Sequence, residues 1–280
     1  MDLALLEQKD KFLSFVTDKL DALAIDYSEK NLQIEQARQN GSPILKAGVV
    51  LLLHYKEIHG KSEYVFQLIK RSEKVSQAGD ISCPGGMLQP KLDNIISCFI
   101  KSGLISGMRK RIANDSPQRD KESISLISLF LSTALREAWE EIGLNPLNTI
   151  FLGALPSYSL TLFARTIFPV VCVTPKPYAY RLSSEVEKIL EIPISSFFKS
   201  DNYAMLNIKA SSGNDIGALQ YQMPCLVIPD GENGMDILWG ATFNIITNFL
   251  KIISDNGLPS SSSTRVLDKV LNINYISGKN

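Results

Sequence analysis

The chain has 280 residues, and its 29 lysine and arginine side chains are balanced by 29 aspartate and glutamate side chains. A net charge of zero gives no general attraction for nucleic acid or an anionic membrane, and a hydrophobic share of 45% is enough for a sizeable core. The four cysteines are widely spaced and form neither a C-x-x-C pair nor a zinc-ligand spacing, so we expect reduced, mostly packed thiols.

No targeting or membrane-spanning segment is visible. The N-terminus meets charge too early for a signal peptide, the longest apolar run (AGVVLLL, 47–53) is too short to cross a bilayer, and the final SGKN is not a peroxisomal address. The two histidines, His54 and His59, lie near no nucleophile motif, which disfavours a Ser/His or Cys/His mechanism. We therefore expect a soluble, cytoplasmic protein without a nucleic-acid or membrane partner.

The first 45 residues differ from the rest in their pattern of apolar residues. Apolar residues recur at helical spacing through 3–25, and RQNGSP at 38–43 breaks the pattern. This predicts an N-terminal helical extension, 1–45, packed on the main domain. A dimerisation arm, and with it a homodimer, is the alternative.

Residues 46–253 alternate between apolar runs and turns. KAGVVLLLHY, EYVFQLIKR, TIFLGAL, TIFPVVCVTP and YQMPCLVIP are typical of strands, while SSEVEKIL indicates a short helix or turn. Residues 125–142 and ILWGATFNIITNFLKII carry helical periods, and Gly143 with Pro146 stops the first of these. Strands accompanied by two strongly periodic helices predict an α/β or α+β domain.

Two segments, 108–123 and 254–280, are expected to be irregular. Residues 94–107 are apolar and compatible with a helix, but 108–123 is polar and charged and predicts an exposed loop. The basic cluster Arg109–Arg111 favours a solvated face over a phosphate site. GLPSSSST then predicts a flexible C-terminal tail, 254–280.

Three carboxylates crowd one face of the helix predicted at 125–142. Glu137, Glu140 and Glu141 are three and four residues apart, so they lie on one face and repel one another. A bound divalent cation makes such crowding favourable, and oxygen ligands without His or Cys suit Mg²⁺ or Mn²⁺. A solvated acidic surface is the alternative. Arg136 projects in another direction and is expected to hold a carboxylate or a nearby loop.

These residues carry a family resemblance. REAWEEIGL, 136–144, resembles the second half of the Nudix box, R-E-U-x-E-E-x-G-U with U aliphatic, and PGG at 84–86 resembles the glycine pair that opens it. Nudix proteins are mostly metal-dependent hydrolases of nucleoside diphosphates linked to another group. The resemblance implies a Nudix-type α/β/α sandwich with a mixed β-sheet, here with an N-terminal helical extension and an insertion within the box at about 94–125.

A narrower resemblance is to the coenzyme A diphosphatase branch. LIKRSEKVSQAGDISCPGG, 68–86, is similar to L-L-T-x-R-S-x-x-L-R-x-x-x-G-x-V-x-F-P-G-G. The segment departs from this signature by one missing residue between Ser72 and Gly79, by Ser76 near the expected arginine, and by Cys83 in the phenylalanine place. The departures leave coenzyme A affinity open.

The resemblance also implies roles for single residues. Either Glu137 or Glu185 would accept the proton of the attacking water, and Glu185 has a helix-start role as its alternative. Asp93 is the first candidate for the acidic residue in the middle of the box, and Glu122 is the second. Trp239 is expected to pack in the core. The implied sets are metal ligands Glu137, Glu140, Glu141 and Gly86, catalytic residues Glu137, Glu140, Glu141, Arg136 and Glu185, and substrate-binding residues Arg71, Ser72, Gly85 and Gly86.

The predicted function is hydrolysis of a small-molecule nucleotide with Mg²⁺ or Mn²⁺ as cofactor. Coenzyme A or acyl-CoA would give 3′,5′-ADP and 4′-phosphopantetheine or its acyl derivative. One alternative is a Nudix hydrolase of another dinucleotide, such as NADH or ADP-ribose. The other is a Nudix-fold binding domain without catalysis.

Overall fold

The structure is a computed structural model that describes residues 3–58, 60–102, 121–160, 164–212, 215–231, 234–255, 257–259, 265–272 and Tyr275. His59 and the basic cluster Arg109–Arg111 lie outside these residues, as does most of the loop expected at 108–123.

Helices and strands are interspersed along the chain. The helices are α1 Lys9–Asp21, α2 Tyr27–Gln39, α3 Pro90–Ser102, α4 Lys121–Ile142 and α5 Gly240–Ser254. The strands are β1 Leu45–Ile58, β2 Lys61–Arg71, β3 Ile81–Ser82, β4 Gly85–Met87, β5 Ile150–Ala154, β6 Tyr158–Leu160, β7 Arg165–Thr174, β8 Val186–Pro193, β9 Tyr203–Ser212, β10 Asp215–Asp230, β11 Gly234–Leu238 and β12 Val266–Asn272. Short 3-10 turns lie at Leu3–Glu7, Pro146–Asn148, Ile194–Phe198 and Ser200–Asn202.

The larger sheet is mixed. Its central order is β3-β2-β1-β7-β5, with β4 on β1, β6 on β7 and β8 on β2. Strands β1 and β7 run parallel, whereas β1 is antiparallel to both β2 and β4. Gly48 of β1 pairs with Gly86 on one side and with Phe168 on the other. The turn formed by Gly85 and Gly86, called the glycine bend below, therefore lies beside the centre of the sheet.

Helices cover both faces of this sheet. On one face, α1 and α5 share a core with side chains such as Leu51, Phe66 and Val171. On the other, α2 and α4 pack against the alternate side chains, among them Val50 and Phe168, and Phe168 stacks on Phe130 with ring centres 3.8 Å apart. Alternation along each strand explains the two cores. The predicted fold class, an α/β/α sandwich with a mixed sheet, is confirmed.

The N-terminal extension is part of the fold. Phe12, Val16 and Leu20 of α1 are fully buried, and Tyr27 of α2 donates a hydrogen bond to the Pro169 carbonyl at 2.7 Å. The extension therefore packs on the main domain, as expected. The domain boundaries and the homodimer remain predictions.

Two expectations about the second half of the chain are wrong in part. A smaller sheet, β11-β10-β9-β12, includes residues 266–272 of the supposed flexible tail, and β12 pairs in parallel with β9. SSEVEKIL forms a turn at 184–185 followed by β8, because alternate side chains such as Val186 and Leu190 are buried against β2 and its neighbours. Glu185 therefore does not begin a helix.

The remaining expectations concern single features. The insertion contributes most of helix α3, which begins just before it at Pro90 and packs on α4, and the first residues of α4 itself. The four cysteines are free, with Cys98 exposed and the other three buried. Within the described residues, no helix combines the length and apolar character needed to cross a membrane.

Candidate active site

Helix α4 presents the Nudix-box carboxylates at its C-terminal end. Ala134, Leu135 and Ala138 are buried, and the helix packs on both β1 and β4 of the large sheet. The helix ends where Gly143 takes a φ of +72° and the Leu144 N–H bonds the Ala138 carbonyl at 3.2 Å. This confirms Gly143 as the residue that stops the helix.

Arg136 joins the two separated parts of the box. Its guanidinium donates to both Asp93 oxygens, at 2.7 and 3.2 Å, and to the Met87 carbonyl at 3.2 Å. Asp93 also accepts from Thr133 and from the Gln89 N–H at the start of α3. Asp93 is fully buried and Glu122 is exposed. Asp93 is therefore the carboxylate that links the part of the box before the insertion to the helix after it.

The glycine bend lies directly against the carboxylates. A Cβ on Gly86 would lie 2.5 Å from Glu137 Cδ. Gly85 has a φ of +146°, and its N–H donates to Glu141 Oε2 at 2.9 Å. Only glycine permits this backbone angle together with such close approach. The structure therefore brings Gly85, Gly86, Glu137 and Glu141 together.

Glu141 and Glu137 are carboxylates in a poorly solvated place. Burial raises the pKa of Glu141 to about 8, opposed by the hydrogen bond from Gly85 and reinforced by the charge of Glu137. Burial also raises the pKa of Glu137, although Arg136 partly offsets this. Both groups would thus be stabilised as anions by an added cation.

Glu140 occupies the rim. Its side chain is 53% exposed, and Arg136 Nη1 lies 3.5 Å from its Oε1 and 2.7 Å from Glu137 Oε1. In these side-chain positions, no three Asp, Glu, His or Cys groups of the described residues are gathered closely enough to hold a metal ion. The donor chemistry nevertheless fits a hard dication, because the oxygens are all carboxyl or carbonyl oxygens and Glu141 is a buried carboxyl group with one backbone donor. An exposed Glu140 is free to change rotamer.

The loop between β2 and β3 lies beside the carboxylates. The charges of Arg71 and Glu185 both act on Glu141, and the Ser72 N–H bonds the Glu185 carbonyl at 2.9 Å. The Ser72 hydroxyl donates to the Ser184 carbonyl at 2.8 Å, which ties the two loops together. Arg71 and Glu185 are thus near the site, while Ser72 has a structural partner of its own.

The C-terminal segment adds a cluster that the sequence did not reveal. Asp80, at the end of the β2–β3 loop, accepts hydrogen bonds from Trp239 Nε1, Lys269 Nζ and the Tyr275 hydroxyl. The Lys269 ammonium also lies 4.8 Å from the centre of the Trp239 ring. Trp239 borders the smaller core and is only partly buried, so it is not a central core residue. No local pattern links residues so far apart in the chain.

Comparison with known proteins finds a distant relative. The chain is 27% identical over 161 residues to the peroxisomal coenzyme A diphosphatase ndx-8 of Caenorhabditis elegans, covering 56% of this chain and 53% of that protein. The resemblance to Nudix hydrolases is confirmed. The chain spans about half the length of this curated relative. No family model matches the chain.

Solved Nudix structures show a partial likeness. The match to a MutT/nudix family protein from Enterococcus faecalis covers 82% of this chain and 73% of that protein, at 12% identity and with a TM-score of 0.41. A Nudix hydrolase from Alicyclobacillus acidocaldarius covers 54% and 79% at 16% identity, with a TM-score of 0.36. RenU, a Nudix hydrolase from M. smegmatis, covers 53% and 70% at 14% identity, with a TM-score of 0.33.

Proposed function

We propose that the protein hydrolyses a diphosphate bond in a nucleotide substrate, most specifically coenzyme A or acyl-CoA, with Mg²⁺ or Mn²⁺ as cofactor. The observation that carries this proposal is the pairing of the buried Glu141 carboxylate with the Gly85 N–H across the glycine bend. Burial of an ionisable carboxyl group is costly, and carboxyl groups whose pKa is raised by burial cluster at functional sites. Arg136 alone does not neutralise three glutamates.

The cation site would use Glu137, Glu140, Glu141 and the Gly86 carbonyl. When bound, Mg²⁺ or Mn²⁺ would polarise the diphosphate and lower the pKa of a coordinated water. The chain itself contributes position and charge. Arg136, fixed by Asp93, orients Glu137, and Arg71 provides a positive charge near Glu141 that would favour an anionic substrate.

Two carboxylates are candidates for accepting the proton of the attacking water. Glu137 lies against Gly86, and its raised pKa brings its basicity closer to neutral pH, as general-base catalysis requires. Glu185 is exposed in the turn before β8 and acts electrostatically on Glu141. Glu137 is the better placed of the two, because its carboxylate is already oriented by a buried arginine.

The narrower substrate assignment rests on sequence similarity. The matching relative is a coenzyme A diphosphatase, and residues 68–86 carry much of that branch's signature. Its products here would be 3′,5′-ADP and 4′-phosphopantetheine or its acyl derivative. NADH and ADP-ribose are the alternative substrates, and a binding domain without turnover is the alternative of another class. A cytoplasmic location also remains a proposal.

Hydrolysis assays with coenzyme A, acetyl-CoA, NADH and ADP-ribose, each with Mg²⁺ and with Mn²⁺, test the proposal. We expect coenzyme A and acetyl-CoA to be cleaved fastest. Glu141→Gln and Glu140→Gln should each fold and lose most of this activity, with Glu122→Gln as the exposed control on the same helix. Binding of coenzyme A without cleavage of any substrate would support the binding-domain alternative and overturn the enzymatic one.

A further inference from the structure

Arg165, the first residue of β7, is an arginine whose side chain has no partner among the residues that the structure describes. Its side chain forms no hydrogen bond or salt bridge within the described residues, and its Nε is buried with no acceptor. A buried cationic N–H that lacks an acceptor costs free energy, so such a group is usually compensated by a ligand or by ordered water. The position therefore suits an anion from outside the chain.

A second guanidinium lies close by. Burial lowers the pKa of Arg165, and the positive charge of Arg71 lowers it further. Arg71 donates its Nε–H to the Ser76 carbonyl, a neutral acceptor, and neither arginine has a salt bridge among the described residues. Two like charges near one another, neither of them in a salt bridge among the described residues, are stabilised by a multiply charged anion.

The sheet register places Arg165 a short way along the sheet from the glycine bend. Gly48 pairs with both Gly86 and Phe168, and Arg165 lies three residues before Phe168 on the same strand. Three strand residues span about 10 Å. Side chains alternate between the two faces of a strand, so Arg165 lies on the same face as Ile167, which packs in the core opposite α4. Phe168 lies on the other face, against α4. A phosphate bound by Arg165 is therefore expected to be a different group from the diphosphate held at the carboxylates.

We propose that Arg165, together with Arg71, binds a phosphomonoester of the substrate that is separate from the diphosphate to be cleaved. The proposal deepens the proposed function and rests on it for the identity of the substrate. Coenzyme A carries such a group on its ribose, whereas NADH and ADP-ribose carry none. Arg165 thus replaces, from another strand, the basic residue that is absent near Ser76, and makes the site selective for coenzyme A.

Calorimetric titration without metal tests the proposal directly. The probes are 3′,5′-ADP and 5′-AMP, which differ by one phosphomonoester, and the proteins are wild type, Arg165→Met, Arg165→Lys and the control Arg38→Met, an exposed arginine on α2. We expect wild type and Arg38→Met to bind 3′,5′-ADP at least tenfold more tightly than 5′-AMP. Arg165→Met should lose this preference, and Arg165→Lys should keep part of it.

Kinetics provide the second measurement. With coenzyme A and dephospho-coenzyme A, Arg165→Met should raise KM for coenzyme A alone and leave kcat within about twofold, as expected when a uniform binding contact is lost. Equal losses on both substrates, or a wild type without preference for 3′,5′-ADP, would overturn the proposal. Should Arg165→Met not fold, Arg165→Lys and Arg71→Lys are compared in the same titrations.

Failure of the proposal and failure of the proposed function give different results. An Arg165-dependent preference for 3′,5′-ADP in a protein that cleaves no coenzyme A supports the phosphate site and rejects the diphosphatase activity. Cleavage of coenzyme A and dephospho-coenzyme A with equal efficiency by every variant supports the activity and rejects the site.

Discussion

Arg136 and Asp93 form a buried salt bridge in which Nε lies 2.7 Å from Oδ1 and Nη2 lies 3.2 Å from Oδ2. The two residues belong to α4 and α3, on opposite sides of the insertion that splits the Nudix box. Burial disfavours the charged guanidinium, but its hydrogen bonds to Asp93 and Glu137 outweigh this and keep the pKa of Arg136 above its ordinary value. The pair holds α3 on α4 and fixes the arginine that orients Glu137.

Removing one partner of this pair should be costly. Asp93→Asn leaves the Arg136 charge buried without a carboxylate, and we expect the free energy of unfolding to fall by about 3 kcal/mol. Urea denaturation measures the change. The matched control is Glu35→Gln, which breaks a more exposed pair with Lys46 on the N-terminal extension and should cost little. Equal stability losses in the two variants would contradict the central role of Asp93.

The elevated pKa of Glu141 predicts a pH-dependent stability. Its value is about 8 in the folded protein and 4.5 ordinarily, so the folded state favours the neutral acid. The resulting stabilisation is fully present below the ordinary value and is lost as the pH rises towards 8. Each pKa unit corresponds to about 1.4 kcal/mol, and the nearby charges of Glu137, Glu185 and Arg71 set the final size.

Urea denaturation in EDTA at several values between about pH 5 and 8 checks this prediction. We expect wild type to lose stability across the range, and Glu141→Gln to lose much less. Added Mn²⁺ should restore wild type at high pH and leave Glu141→Gln unchanged, because a bound cation compensates the anion. The exposed variant Glu140→Gln should follow the wild-type curve in EDTA. Parallel curves for wild type and Glu141→Gln would rule the prediction out.

The two glycines of the bend should respond differently to an added methyl group. In Gly86→Ala the new Cβ meets the mobile end of Glu137, at 2.5 Å from Cδ. We expect stability to change by less than about 1 kcal/mol, since a flexible side chain can move away, while hydrolysis falls at least tenfold because the carboxylate is displaced. Assays of kcat and of urea midpoint on one preparation check both parts.

Gly85→Ala is the contrasting change. Its Cβ would lie 2.4 Å from the Gly48 carbonyl oxygen, which is backbone, and the φ of +146° is strained for alanine. We expect a loss of stability of about 2 kcal/mol or more. If Gly85→Ala proved as stable as Gly86→Ala, the close packing of the bend on β1 would be wrong.

The sequence was most informative where local pattern and chemistry coincide. Helix α4 was predictable because its apolar period, its terminal glycine and its crowded carboxylates lie within one continuous stretch. The buried strands β1 and β7 were equally visible, since a parallel strand with both faces covered is apolar throughout. These elements place Gly86 against Glu137, which is the centre of the candidate site.

The parts that escaped prediction depend on contacts between distant residues. Strand β12 is short, its Val266 and Val270 are exposed, and it is held by pairing with β9, about sixty residues earlier. Arg165 was not singled out from the sequence, because its lack of a partner among the described residues is a property of the folded surroundings. The bond from the Ser72 hydroxyl to the Ser184 carbonyl likewise joins residues far apart in the chain, and the substrate-binding role of Ser72 stays a prediction.

The cluster around Asp80 makes the C-terminal segment part of the site. Lys269 of β12 lies 2.8 Å from Asp80 Oδ1, and the Asp80 carbonyl bonds the Arg71 N–H at 2.9 Å. Lys269→Met removes this salt bridge and should loosen the loop that carries Arg71 and Ser72. We expect faster amide hydrogen exchange in residues 72–80, a higher KM for the nucleotide substrate, and a stability loss of about 1 kcal/mol. Lys209→Met, which breaks an exposed pair with Asp268 in the same sheet, is the control and should leave exchange in 72–80 unchanged. If both variants exchange like wild type in that loop, β12 has no part in ordering it.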